Sequence, residues 1–159
     1  MKFYFLRHAE ALDGPNDDTR PLSPHGKKEC AAIGTFLKNA GIRFDEAYSS
    51  PFLRAQETGD LVLKVLGYRK EVALKTDEAL RNETSQDAFD RWLSRFKKEH
   101  ILLVGHNPSI SERVRKLLRT NHSEVFEFPK AGLICIETFN ARDGRLIFYV
   151  TPETLGCKT

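Results

Sequence analysis

Short apolar runs alternate along this chain with segments whose apolar residues recur at helical spacing, and that alternation limits the possible folds more than any other feature. The runs are Phe3 to Leu6, a short piece from Glu46 to Tyr48, Val72 to Leu74 and Ile101 to Val104. Between them Cys30, Ile33, Gly34 and Leu37 stand at i, i+3, i+4 and i+7, as do Thr58, Leu61, Val62 and Val65, and then Phe89, Trp92, Leu93 and Phe96. Each set predicts an amphipathic helix. A fourth helix is predicted around Ile110, Val114, Leu117 and Leu118, and two closing strands, Leu133 to Thr138 and Leu146 to Val150, flank a turn at Asp143-Gly144. Such alternation predicts an α/β fold, a three-layer sandwich with a mostly parallel central sheet and helices on both faces. With 159 residues and no internal repeat, low-complexity tract or linker, the chain is expected to form one domain over residues 1–159.

The 25 basic and 22 acidic residues are spread along the whole length, so no basic block marks a nucleic-acid arm or a polybasic membrane anchor. The small positive balance still suits anionic substrates. The apolar start ends at Arg7 and His8, too soon for a signal-peptide core or a membrane span, and a cytoplasmic location is expected. Cys30, Cys135 and Cys157 are odd in number and lack metal-ligand spacing; reduced thiols fit them best. Among the five histidines no pair stands at i, i+3 or i+4, and no carboxylate or thiol cluster accompanies them, so no metal site is expected. His25, His100 and His122 read as surface residues, and the stripe Phe89, Trp92, Phe96 as a core face.

Three helix starts share a grammar. Ser23-Pro24, Ser50-Pro51 and Asn107-Pro108 each place a capping side chain before a proline suited to the first helical position. Two of them follow predicted strands, where an open parallel sheet binds ligands and helix amides favour anions. The same sheet edge is expected to carry Arg7 and His8 at the end of the first strand, Arg54 in the first turn of the next helix, and His106 after Gly105, a glycine that would permit close approach. A guanidinium leaving a buried strand must be paired or functional, because burying its charge unpaired is costly. Two histidines and two arginines together suit phosphoryl transfer: neutral imidazole attacks phosphorus, and the arginines hold the non-bridging oxygens.

Arg7-His8-Ala9-Glu10, the stretch Ser49-Ser50-Pro51-Phe52-Leu53-Arg54-Ala55-Gln56-Glu57-Thr58, and Val104-Gly105-His106-Asn107-Pro108 resemble, in order, the three signature segments of the histidine phosphatase superfamily, with its phosphoglycerate mutase-like fold. Phe128-Pro129-Lys130-Ala131-Gly132 extends the similarity toward the last strands. The resemblance implies that His8 is the phosphorylated nucleophile and that Arg7, Arg54 and His106 bind the phosphoryl group with it, with no cofactor. Ala9 departs from the usual glycine. Arg20-Pro21-Leu22-Ser23-Pro24-His25-Gly26 and the short length resemble the SixA-type phosphohistidine phosphatases, which implies a phosphorylated protein as partner and makes Arg20 a candidate for the rim of the phosphate pocket. Larger members place an acid after the third strand; here Glu83 is the nearest candidate proton donor. For Arg20 and Glu83 a solvated loop position is an equal reading, whereas Glu10 reads as a support for its loop. A small-molecule phosphomonoesterase of the same family, acting on a phosphorylated metabolite, and a non-catalytic phosphoprotein-binding module are the competing readings.

Overall fold

The computed structural model describes residues 1–67 and 72–158. In chain order the elements are β1 (Lys2–Arg7), α1 (Pro24–Asn39), β2 (Glu46–Ser49), α2 (Leu53–Val65), β3 (Leu74–Thr76), α3 (Gln86–Leu93), β4 (His100–Gly105), α4 (Ser109–Leu117), β5 (Leu133–Thr138) and β6 (Gly144–Val150), with short 3-10 helices at Asp17–Thr19, Glu78–Leu80 and Glu153–Leu155. One sheet runs in the order β3-β2-β4-β1-β5-β6. The pairs β1·β4, β2·β4 and β2·β3 are parallel, while β5 runs antiparallel to β1 and to β6. This is the mostly parallel α/β sandwich that the alternation predicts.

Strand periodicity divides the core in two. Tyr4 and Leu6 of β1, Leu102 and Val104 of β4, and Leu133 and Cys135 of β5 face the layer of α1 and α2. Their neighbours Phe3, Phe5, Ile101, Leu103, Ile134 and Ile136 face α3 and α4. Successive side chains point to opposite faces, so a strand covered on both sides must be apolar throughout. Among the described residues no helix is long and apolar enough to cross a membrane.

Several local expectations are corrected. Ser23 does cap α1, accepting from the Gly26 amide at 3.0 Å with Pro24 at the first helical position. Ser50 does not cap α2, which begins at Leu53 after Phe52, because its hydroxyl bonds to His106 instead. Nor does Asn107 cap α4, which begins at Ser109. Asn82, from the loop after β3, accepts from the Ser109 amide at 3.2 Å, while the Asn107 side chain bonds Phe128 and Ser111. The third strand lies at Leu74–Thr76 rather than over Val72 to Leu74, and Phe96 lies beyond α3 yet stays in the core. The Asp143-Gly144 turn ends earlier, since Gly144 already pairs with Thr138. His100 is half-buried rather than a surface residue: its Nδ1 lies 2.8 Å from the Tyr4 hydroxyl across the β1·β4 pair.

The parallel half of the sheet sets three strand ends in a row. Arg7 is in register with Gly105 and Ser49 with Val104. His8, Ser50 and His106 are therefore the first residues beyond β1, β2 and β4. The chain then turns from β1 into α1 against Gly26, where an added Cβ would stand 2.1 Å from the backbone oxygen of Glu10. Backbone cannot yield as a flexible side chain can. Gly26→Ala is expected to cost about 1–3 kcal/mol of unfolding free energy in chemical denaturation, as overpacking of a tight contact does; an unchanged midpoint would show that the loop simply moves aside.

Candidate active site

His8 is buried beyond the end of β1, its amide bonded to the Gly105 carbonyl at 3.0 Å. Its Nδ1 lies 2.8 Å from the Ala9 carbonyl, which can only accept, so Nδ1 carries the ring proton and Nε2 presents a lone pair. Arg54 Nε donates to that Nε2 at 3.4 Å. Burial pushes the His8 imidazole down to about 3; His106, Arg54 and Arg7 add to the depression, and the bond to Ala9 opposes it. The side chain is thus neutral across the physiological range, as a nucleophile must be.

His106 stands beside it, the two rings 5.0 Å apart between centroids. Its Nε2 lies 2.5 Å from the Ser50 hydroxyl, which already accepts from the Phe52 amide at 3.3 Å. The hydroxyl can donate to a bare Nε2 or accept from a protonated one, so this contact fits either ring tautomer of His106. Burial, then Arg54, lowers this imidazole to about 4. Its Nδ1 is buried without a hydrogen-bond partner among the described residues, and so is Arg7 Nε. Buried polar atoms of this kind are rare in folded proteins and call for an explanation.

The arginines are held from behind. Arg7 NH1 donates to the Phe128 carbonyl at 3.0 Å, an acceptor shared with Asn107 Nδ2 at 3.1 Å. The Phe128–Gly132 segment closes on β1 through Ala131, whose amide lies 3.1 Å from the Arg7 carbonyl and 3.2 Å from that of His8. Arg54 NH1 donates to the Asp17 carbonyl at 2.7 Å, and the Asp17 carboxylate pairs with the same guanidinium at 3.3 Å. Thr58, one turn further along α2, donates to the Arg54 carbonyl and accepts from the Ala9 amide. One threonine so fixes α2 against the loop after His8.

Arg7, His8 and His106 therefore stand at the expected strand ends, and Arg54 reaches His8 from the first turn of α2. Arg20 lies one step out, donating to the Leu12 carbonyl at 2.8 Å and pairing with Asp17 at 3.1 Å, so that Asp17 is shared by Arg20 and Arg54. Glu83 is not brought to the cluster. It is exposed, and its carboxylate pairs with Arg81 Nε at 3.3 Å. Gly105 is also not a point of close approach, since a Cβ there would meet only ordinary contacts, the nearest at 3.5 Å. Glu10 supports its loop as expected, accepting from the Ser23 hydroxyl at 2.6 Å. The sequence reading missed Ser50 as the partner of His106, Thr58, Asp17, and the sandwich in which Arg54 and Arg81 lie 4.9 and 5.0 Å from the centre of the Phe52 ring. Ser50, Phe52 and Thr58 lie inside a motif already quoted; nothing in the sequence singled out Asp17. Among the described residues no three His, Cys, Asp or Glu side chains form a group that could hold a metal ion.

Over its whole length the chain resembles an uncharacterized protein of Picosynechococcus sp., 28% identical over 98% of this chain and 99% of that protein. A stretch of 67 residues is 43% identical to the mitochondrial serine/threonine-protein phosphatase Pgam5 of Drosophila simulans, covering 42% of this chain and only 23% of that protein. Among solved structures, the protein histidine phosphatase SixA complexed with tungstate shares the fold, with a TM-score of 0.87 at 21% identity over 98% of this chain and 99% of that one. The family model described as the histidine phosphatase superfamily (branch 1) matches residues 3–85, more than half of the chain, and so the chain belongs to that superfamily.

Proposed function

We propose that this chain is a single-domain, cytoplasmic phosphatase that works through a phosphohistidine on His8, and that its substrate is phosphohistidine on a protein. The observation that carries the reading is the His8 Nε2 lone pair, met by Arg54 Nε at 3.4 Å, in a cluster where Arg7 Nε and His106 Nδ1 are buried without a hydrogen-bond partner among the described residues. A phosphoryl group supplies an acceptor oxygen to Arg7 Nε and an electrophile to the lone pair. The nucleophile attacks phosphorus in line, Arg7 and Arg54 hold the equatorial oxygens, and His106 donates to one of them; water then hydrolyses the phosphohistidine. The arginines carry the positive charge that the transition state needs, so the reaction is written without a metal ion. The protein substrate is supported by the likeness in fold to a protein histidine phosphatase. The similarity to a stretch of Pgam5 favours phosphomonoesters as the second reading.

The chemistry is tested by assaying a phosphohistidine-bearing protein, p-nitrophenyl phosphate and phosphoglycerates side by side. Vanadate is expected to inhibit and chelators to have no effect. His8→Ala is expected to abolish turnover, and Arg54→Ala to lower kcat by about a hundred- to a thousandfold, the cost of losing one charge-stabilising donor. Retained turnover in His8→Ala would falsify the nucleophile assignment, and phosphate-dependent binding without turnover in the wild type would favour a binding module.

The protonation states give a separate check. Imidazole NMR of the unliganded protein is expected to show His8 and His106 neutral from about pH 8 down to about pH 5, below the ordinary histidine value of about 6.5. Since the folded-state values are depressed to about 3 and about 4, the unfolded chain binds protons first as the pH falls. The stability held by these two neutral rings is therefore full above about pH 6.5 and is lost as the pH falls toward those folded values. Protonation of His8 near its ordinary value would contradict this.

A further inference from the structure

The site as described has a nucleophile and a clamp but no group to handle the leaving-group proton. Glu83 faces Arg81, and His106 meets Ser50 through one nitrogen and, in the mechanism above, donates to the phosphoryl group. Among the described residues, the ion pairs put one carboxylate on the clamp, that of Asp17. Its Oδ1 lies 3.3 Å from Arg54 NH1 and its Oδ2 lies 3.4 Å from NH2, while Nε of the same guanidinium lies 3.4 Å from His8 Nε2. A flat guanidinium thus has the nucleophile at one end and the carboxylate at the other. A phosphoryl group held by Arg54 would have His8 on its Nε side and the Asp17 carboxylate on its NH1/NH2 side, within reach of a leaving atom that departs away from His8.

We propose that Asp17 is the acid–base residue of this site. The inference rests on the phosphatase reading above. In the first step the His8 Nε2–P bond forms, the bond from phosphorus to the leaving oxygen or nitrogen breaks, and the Asp17 carboxyl proton passes to that atom with its bonding pair. In the second, a water oxygen attacks phosphorus, the N–P bond returns its pair to Nε2, and the Asp17 carboxylate takes a proton from the water. The products are the dephosphorylated substrate and phosphate, with Asp17 restored.

The setting suits this role. The Asp17 side chain is 59% exposed, so it exchanges protons with solvent. It sits on a 3-10 helix capped by the Asn16 side chain, which accepts from the Asp18 amide at 3.0 Å. The charged and titratable groups facing it are Arg20, with Asp13 behind it, and the neighbouring Asp18 from its own loop, Arg54 from α2, and His106 beyond β4. Arg20, and more weakly Arg54, hold the carboxyl below its ordinary range. A phosphoryl dianion engages Arg54 and adds negative charge beside Asp17, which favours the protonated acid when it is needed.

Leaving-group dependence separates this role from a structural one. Rates for wild type, Asp17→Asn and Asp17→Ala are compared on aryl phosphates from p-nitrophenyl phosphate, whose leaving group departs without a proton, to phenyl phosphate and an alkyl phosphate. The expected result is a loss in kcat/KM of about a hundredfold or more for the alkyl ester, in the range of general acid catalysis. The loss for p-nitrophenyl phosphate should be small, and the basic limb of the pH profile for the alkyl ester should vanish. Wild-type-like circular dichroism and retained vanadate inhibition show that the variants fold with the clamp in place. Equal losses on every ester, or tighter phosphate binding with unchanged rates, overturn the proposal and leave Asp17 a brace or a competitor for Arg54. His8→Ala serves as the companion: if it too retains turnover, the phosphohistidine mechanism on His8 has failed, whereas an inactive His8→Ala beside a leaving-group-independent Asp17→Asn sinks only this inference.

Discussion

The backbone bond from the His8 amide to the Gly105 carbonyl continues the β1·β4 ladder one residue past the strand, and the site depends on it. A parallel pair in this register makes the two chains leave the sheet side by side, and the next side chain on each is a histidine. Strand β2 on the other side of β4 adds Ser50 in the same row. Sheet geometry sets neighbouring strands roughly 5 Å apart, so residues on adjacent strand ends meet without any loop having to reach. The arginines need more support. Arg7 is braced by the turn before β5 and Arg54 by the loop after β1, so the clamp is built from both flanks of the central strands.

Burial tunes this cluster more than any single charge does. Desolvation is the largest cause of the low values of both histidines, and their cationic neighbours push the same way. With both imidazoles neutral, the positive charge of the cluster rests on its guanidiniums. Such a cluster favours an anion while leaving its imidazoles unprotonated, two requirements that compete in a water-exposed site.

Much of this was legible in the sequence because the chemistry sits at the ends of regular elements. Arg7 and His8 stand out as charge at the end of an apolar strand, and His106 as a ring after another. What could not be read depends on partners far apart in sequence. Ser50 looks like a helix cap until His106, 56 residues later, takes its hydroxyl. The Asn82 side chain does the capping expected of Asn107, 27 residues before the amide it serves. His100 reads as exposed until Tyr4, 96 residues earlier, meets it across a strand pair. Glu83 lies in the loop where an acid was sought, but the direction of its side chain is set by Arg81, which no pattern encodes. Asp17 lies in the irregular segment between β1 and α1, where no periodicity points to a partner as distant as Arg54.

The bare nitrogens of Arg7 and His106 also bear on how such a protein is tolerated by its own fold. A buried donor left unmatched costs roughly 1–3 kcal/mol, and an acceptor oxygen that met Arg7 Nε would relieve that cost. Whatever binds the folded chain and not the unfolded one stabilises it by mass action, so occupancy of such a cluster would count toward the stability of the whole domain.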